Sequence, residues 1–312
     1  MTGAGKSRYG ASAALALGFV AMFSSGPGQS FVIAVFLDDM LAGTGVSRTA
    51  FSALYGVATI ASATMSFWLG RGADRFGLRL AWILVAAGLA AACFLASVAG
   101  GVLSVLIALS LLRAFGQGSF PLLATLIVNY WFPRRPGAAM SVARAGVPAA
   151  TILLPPLLAL LIDGVGWQAA YRILAGVVLG LVLPLGLLLR TPPSRGAVET
   201  TTLPGPEVPT LAASRRSRRL GIKIPRREAA LLLFVSAAPP LVMTALTFHV
   251  VSLLGGRGLP APAAAAALSV FGAASAIATL ALGPFSDRLS TRSLLVATNA
   301  VLLLGVSLLF MS

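Results

Sequence analysis

Long apolar stretches separated by short polar segments dominate the chain. Nine stretches reach about 20 residues, the length that a helix needs to cross the hydrocarbon core of a bilayer. We place them at residues 11–36, 49–69, 80–99, 103–129, 137–161, 168–189, 229–254, 262–282 and 293–311. The first stretch runs to Phe36, too long for a signal-peptide core of about 7–15 residues. The pattern predicts an all-α membrane protein of about nine transmembrane helices, with an uncleaved first span.

Composition supports the membrane interpretation. Of the 312 residues, 58% are hydrophobic and 10% are charged, whereas soluble domains have about 45–50% apolar and about 25% charged residues. A disordered chain is excluded because disorder requires low hydrophobicity. A disulfide scaffold is excluded because Cys93 is the only cysteine.

The net charge is +15, and the positions of the basic residues agree with the predicted topology. Most Lys and Arg residues lie in alternate connections, near residues 6–8, 71–79, 134–135, 190–227 and 288–292, and the intervening loops hold only Arg48 and Arg257. This positive-inside bias predicts a cytoplasmic N-terminus. It also explains the charge without a nucleic-acid partner. The high Ala, Gly and Arg content suits a bacterium, and we therefore expect the bacterial inner membrane.

One long polar connection, residues 191–228, divides the chain. It is rich in proline and contains an arginine run that starts at Arg215. We predict an N-terminal six-helix bundle (1–190), a cytoplasmic basic linker (191–228) and a partial C-terminal bundle of three helices (229–312). The linker is interpreted as a solvated segment in preference to a regulatory docking site, because charge runs usually stay solvated.

The two halves share an internal repeat. The loop Gly-Arg-Gly-Ala-Asp-Arg-Phe-Gly-Leu-Arg at 70–79 matches Gly-Pro-Phe-Ser-Asp-Arg-Leu-Ser-Thr-Arg at 283–292, with a constant offset of 213 residues. Both loops follow the second span of their half. The constant offset is explained if a unit of six spans occurs twice along the chain, in the same orientation.

Three motifs resemble one family. The pattern Gly-x-x-x-Asp-Arg-x-Gly-x-Arg at 70–79 resembles the signature of the major facilitator superfamily, and residues 112–118 resemble its membrane-embedded arginine motif. The segment 130–140, with 26–30 and 247–249, resembles the monocarboxylate porters and oxalate–formate antiporters. The resemblance implies twelve helices in two bundles. Because residue 312 corresponds to residue 99 of the first half, we expect a C-terminally truncated member that lacks the last three spans.

The resemblance also implies a gate. In the family, the signature aspartate meets a helix of the opposite half, the arginines clamp the inner side shut, and the glycines permit a tight loop. The gating residues implied here are Gly70, Asp74, Arg75, Gly77, Arg79, Asp287 and Arg288.

The ionisable residues predicted inside the spans are basic, which indicates an anionic substrate. Arg113 lies near the middle of the fourth span, Arg144 inside the fifth and His249 in the seventh, while no acidic residue lies deep in a span. Intramembrane charges are usually functional, and arginine binds carboxylates bidentately. In the family that the chain resembles, spans one, four, seven and ten line the central cavity, which implies one site for Gln29, Arg113 and His249, with Gln29 orienting the anion.

Each of these residues has a structural alternative. Arg113 could support helix packing, and Arg144 could snorkel towards the cytoplasm. His249, the only histidine, could be a packed group, a hydrogen-bond donor to the substrate or a proton carrier. Gln29 could mark only a kink in the first span.

The sequence therefore predicts a secondary active or facilitative transporter of a small organic, monocarboxylate-like anion, working by alternating access and coupled to a proton, a counter-anion or neither. An exporter of amphipathic compounds and a transport-inactive fragment of a longer transporter are the alternatives. No phosphate-binding loop, catalytic triad or metal-ligand cluster occurs. We therefore expect no enzyme activity, cofactor or metal.

Overall fold

The predicted all-α class is confirmed in a computed structural model that describes residues 3–132, 136–189, 226–286 and 291–311. No β-strand occurs within these ranges. The α-helices are α1 (Gly3–Ser24), α2 (Ser30–Thr44), α3 (Arg48–Phe76), α4 (Leu78–Ser97), α5 (Val102–Leu111), α6 (Phe120–Trp131), α7 (Pro136–Arg144), α8 (Gly146–Val165), α9 (Trp167–Val177), α10 (Leu183–Leu185), α11 (Arg226–Gly256), α12 (Ala261–Ser286) and α13 (Thr291–Met311). Two π-helices, Leu112–Ser119 and Val178–Val182, interrupt the fourth and sixth spans.

Eight helical stretches in the described part of the chain are long and apolar enough to cross a membrane. They are Gly10–Thr44, Arg48–Trp68, Leu78–Ser97, Val102–Trp131, Ala139–Val165, Trp167–Leu188, Leu233–Gly256 and Ala261–Ala278. The ninth predicted span coincides with α13, whose apolar helical stretch within the described residues is Leu295–Gly305. The first span extends to Thr44, beyond the predicted end at Phe36, so that Asp38 and Asp39 lie in its last two turns.

The interior of the N-terminal helices is built from large apolar side chains. Trp82 on α4 is fully buried, and its Nε1 donates a hydrogen bond to the carbonyl of Val182, 2.8 Å away. Its ring meets the ring of Phe120 edge-on, with centroids 5.6 Å apart. Phe36 stacks on Tyr171 at 3.9 Å. These contacts hold α2, α4, α6 and α9 together around one core.

Many large apolar side chains point outward. Ile60, Leu103 and Leu181 are 73%, 69% and 66% exposed. Full exposure of such a side chain to water costs about 1.5–3 kcal/mol relative to burial, and this cost disappears when the neighbour is hydrocarbon. The outward surface therefore fits a lipid environment.

Contacts between Cα atoms divide the chain into two compact units. The first comprises Met1–Pro193 and Thr247–Ala278, and the second comprises Ser194–Leu246 and Thr279–Ser312. The first unit holds α1–α10 with the second part of α11 and the first part of α12. The predicted linker, 191–228, lies outside the described residues except for its last three positions. The predicted division into a six-helix and a three-helix bundle therefore stays a prediction.

Candidate functional site

The first span is broken beside Gln29. Residues Gly26–Gly28 form one turn of 3₁₀-helix between α1 and α2, and the amide of Gln29 donates to the carbonyl of Gly26 at 2.8 Å. Proline and glycine weaken the helix ladder here, which matches the predicted kink. The side-chain Nε2 of Gln29 donates to Ser25 Oγ at 3.0 Å. Gln29 therefore lies at a helix break, and both its backbone N–H and its side-chain Nε2 are already hydrogen-bonded.

The fourth span is widened at the same level. The eight residues Leu112–Ser119 form a π-helix, a rare geometry that is frequently found at functional sites. A Cβ added at Gly116 would lie 2.7 Å from both Cα and N of Gly28, and one added at Gly28 would lie 2.8 Å from Cα of Gly116. The two spans thus cross backbone to backbone at a glycine pair, next to Arg113.

Arg113 is the buried charge of this site. It is only 2% exposed, and its Nη1 donates a hydrogen bond to the hydroxyl of Tyr55 on α3. The guanidinium carbon also lies 4.2 Å from the centroid of the Tyr55 ring, a cation–π contact. The Tyr55 hydroxyl is in turn 2.6 Å from Ser30 Oγ, one residue after Gln29. The hydroxyl and the ring of Tyr55 replace part of the water that Arg113 has lost, and Ser30 pairs with the hydroxyl.

The described residues leave Arg113 without an anionic partner. Its Nε is buried and has no hydrogen-bond partner there. The one ion pair found in the described part of the chain joins Arg48 and Asp38, both about half exposed. Burying a cation in low dielectric is costly unless a counter-charge or full hydrogen bonding compensates. Arg113 is therefore compensated only in part.

Aromatic rings connect Arg113 to the seventh span. The Tyr55 ring contacts Phe248 on α11 at 4.5 Å between centroids, and Phe51 lies 6.1 Å from Phe248. The half-buried imidazole of His249 meets the Phe248 ring edge-on at 4.9 Å. The rings of Phe248 and Tyr55 thus connect His249 to Arg113, and no hydrogen bond joins His249 and Arg113 directly.

Three of the four predicted substrate residues therefore lie in one neighbourhood, and Arg144 does not join them. Gln29, Arg113 and His249 are linked through Ser30, Tyr55 and Phe248. Arg144 ends α7, and its side chain is exposed, with no hydrogen bond or ion pair to another described residue. A substrate contact for Arg144 stays a prediction.

The predicted gating residues of the first copy lie at the α3–α4 junction. Gly70, Asp74 and Arg75 are on the last turns of α3, where the description covers the backbone and not these side chains. Gly77 separates the two helices with φ +87°, a conformation that favours glycine. Arg79 is exposed in the first turn of α4. In the second copy, Asp287 and Arg288 lie outside the described residues, so the gate as a whole stays a prediction.

Sequence reasoning missed Ser30, Tyr55 and Gln117. Tyr55 carried a readable signal, because a phenol inside an apolar span needs a hydrogen-bond partner when it is buried. Gln117 lies in the arginine motif of the fourth span, and its Oε1 is buried without a hydrogen-bond partner in the described residues. Which helix faces meet Arg113 could not be read from span lengths.

No group of three or more His, Cys, Asp or Glu residues that could hold a metal ion comes together in the described ranges.

A family model described as Major Facilitator Superfamily matches residues 15–312. None of the curated proteins matches the chain significantly.

Proposed function

We propose that this chain, which belongs to the major facilitator superfamily of membrane transporters, transports a small organic anion such as a monocarboxylate. The substrate would move by alternating access, in which two bundles rock about a site near the middle of the membrane. The proposal assigns no chemical reaction to the chain.

One observation carries the proposal: Arg113 is buried without a counter-charge among the described residues. Tyr55 supplies a neutral acceptor and an aromatic face, which lower the cost of the charge without neutralising it. A carboxylate would supply two charged acceptor oxygens that fit the guanidinium fork. A cationic substrate would meet repulsion at the same place, which disfavours an exporter of lipophilic cations.

The neighbouring residues receive supporting roles. Gln29 would orient the anion once its hydrogen bond to Ser25 is released, and His249 would donate a hydrogen bond to it. Arg144 is proposed as a second cation that attracts the anion from the exposed end of α7. Because no carboxylate lies deep in a span, we propose anion exchange or facilitated movement in preference to proton symport.

The basic connections set the proposed orientation. The N-terminus and the loop at 70–79 would face the cytoplasm of a bacterium, in the inner membrane, by the positive-inside rule. In that orientation the gating residues of the two motif copies would clamp the cytoplasmic side. The lipid bilayer and a small-molecule substrate are the partners that transport needs, with a proton or counter-anion as the candidate coupled ion.

Uptake assays with the full chain in liposomes test the proposal. The panel contains radiolabelled acetate, propionate, lactate and oxalate, with tetraphenylphosphonium as a lipophilic cation. We expect uptake of one or more of the anions, a loss of at least tenfold in Arg113→Gln and a smaller loss in Arg113→Lys, which keeps the charge without the bidentate fork. Arg172→Gln, which alters an exposed arginine on α9, is the matched control.

Two results would contradict the proposal. Retention of anion uptake by both Arg113 variants would remove Arg113 from the substrate site. Movement of the lipophilic cation in place of the anions would favour the exporter.

A further inference from the structure

Two buried polar atoms on the π-helix lack hydrogen-bond partners in the described part of the chain. They are Nε of Arg113 and Oε1 of Gln117. The first is a donor and the second an acceptor, and other buried polar side-chain atoms in these ranges are hydrogen-bonded. Residues four positions apart on a helix are neighbours on its surface. The unpaired donor and the unpaired acceptor therefore lie about one turn apart on the same π-helix.

The position of Gln117 places this pair beside the proposed substrate site. A Cβ built on Gly28 would lie 2.8 Å from the backbone nitrogen of Gln117, so Gln117 stands at the crossing of the first and fourth spans. Gln29 lies one residue from that crossing, but its amide is held by Ser25. Gln117 is thus the glutamine at the crossing with a buried carbonyl oxygen that has no hydrogen-bond partner among the described residues.

A buried acceptor that stays unpaired is costly, and native proteins pair nearly all such groups with protein, water or ligand. A carboxylate bound at Arg113 would pair the donor only, because ionised carboxylate oxygens accept and do not donate hydrogen bonds. A hydroxyl on the carbon next to the carboxylate would donate to Gln117 Oε1. A keto oxygen in that position would put two acceptors against each other.

We propose that Gln117 is a specificity-determining substrate contact and that the transported anion is a hydroxy acid, whose carboxylate binds Arg113 and whose adjacent hydroxyl donates to Gln117 Oε1. This inference rests on the proposed function, because it needs an anion at Arg113. It narrows the substrate class from organic anions in general to those with a hydrogen-bond donor beside the charge.

Three acids of equal carbon number test the inference: 2-hydroxypropionate, propionate and 2-oxopropionate, each radiolabelled. Their uptake is measured with the full wild-type chain in liposomes at pH 7.5. We expect kcat/KM for the hydroxy acid to exceed that for each of the other two by at least about tenfold, because sites built to pair a hydroxyl discriminate strongly against analogues that lack it. Gln117→Leu, which removes the acceptor at similar volume, should bring the hydroxy acid and propionate within about twofold of each other, chiefly by lowering uptake of the hydroxy acid.

Controls separate a specificity effect from a folding effect. Gln168→Leu makes the same chemical change at an exposed position on α9 and should leave the preference intact. Gln117→Met is a second unbranched replacement, in case leucine does not fit the π-helix. Size-exclusion profiles and thermal unfolding of each variant establish that a folded protein is being compared.

The outcomes distinguish the inference from the proposed function. Equal wild-type transport of the hydroxy acid and propionate, with uptake still lost in Arg113→Gln, would overturn the role of Gln117 and leave the anion site standing. A preference for the keto acid would overturn the inference in the same way, because it requires Gln117 to act as a donor. Uptake that survives both Arg113→Gln and Arg113→Lys would remove the anion site and the inference together.

Discussion

Ser252 on α11 donates a hydrogen bond to Asp38 on α2, with its Oγ 2.9 and 2.8 Å from the two carboxylate oxygens. Asp38 also accepts a hydrogen bond from Arg48 at the start of α3. Both partners of Asp38 lie in the same compact unit as Asp38 itself. One carboxylate therefore holds the ends of three spans together: the first, the second and the seventh.

We predict that this contact closes one mouth of the transporter. Ser252→Ala should lower the free energy of unfolding by about 0.5–1.5 kcal/mol, the usual net worth of a hydrogen bond, and Asp38→Ala, which also loses the contact with Arg48, should lower it somewhat more. If the mouth opens in every transport cycle, both variants should also raise the turnover rate. The check is a double-mutant cycle, with unfolding measured in detergent and turnover in liposomes.

Arg48→Gln is the comparison for that cycle. Because the Arg48–Asp38 pair is about half exposed, its loss should cost less than about 1 kcal/mol. Additive effects of Ser252→Ala and Asp38→Ala would mean that the two side chains do not interact in solution.

The glycine crossing should tolerate no side chain. In Gly116→Ala the new Cβ would lie 2.7 Å from Gly28 and 3.1 Å from the carbonyl oxygen of Ser25, so the backbones must separate. We expect a loss of about 1–3 kcal/mol in unfolding free energy, as for other overpacked sites, together with loss of uptake. Thermal unfolding in detergent and liposome uptake measure the two effects.

Gly56→Ala is the matched control for the crossing. Gly56 lies on α3 with no atom within 4 Å of a built Cβ, and alanine is the better helix former by about 0.5–1 kcal/mol. That variant should unfold at the same temperature as wild type or higher. Equal stability of the two alanine variants would show that the backbones do not approach closely at Gly116.

The buried arginine should cost the protein stability. Tyr55→Phe keeps the ring over Arg113 and removes the acceptor, and hydrogen bonds to charged groups are worth about 1.5–3 kcal/mol. We expect the variant to lose about that much. The double variant Arg113→Met/Tyr55→Phe should recover most of the lost stability, because the uncompensated charge has gone, but it should not transport the anion, because Arg113 is absent.

Unfolding free energies of the two single variants and the double variant test this prediction. A double variant no more stable than Tyr55→Phe would show that Arg113 is a packing residue whose apolar stem matters more than its charge.

His249 should assist substrate binding without coupling transport to protons. The imidazole contacts Phe248 edge-on, and His249→Gln keeps a hydrogen-bond donor of similar reach. Because the donor is kept, we expect KM and the maximal rate both to stay within about threefold of wild type in His249→Gln, whereas His249→Leu, which removes the donor, should raise KM about threefold to tenfold. Uptake should not accelerate when an inward proton gradient is imposed.

Kinetics in liposomes with and without that gradient provide the measurement. Gradient-driven accumulation in wild type that disappears in His249→Gln would assign proton transfer to this histidine and contradict the proposed exchange or facilitated mechanism.

The sequence was sufficient for the arrangement of spans along the chain. A helix must satisfy its own backbone inside a bilayer, so about 20 apolar residues can adopt little else. The predicted spans accordingly coincide with helices, and the Gly-Pro-Gly sequence before Gln29 marks the break in the first span. Arg113 was recognisable because a charge in that setting is conspicuous.

Tertiary structure decided which side chains meet. The hydrogen bond of Arg113 to Tyr55 joins residues 58 positions apart, and that of Ser252 to Asp38 joins residues 214 apart. Such pairs depend on the rotation of each helix about its axis and on the crossing of neighbouring helices, which a uniformly apolar span does not specify. The unpaired oxygen of Gln117 followed from the same packing, because a π-helix and a glycine crossing shift the faces that an ideal helix would present.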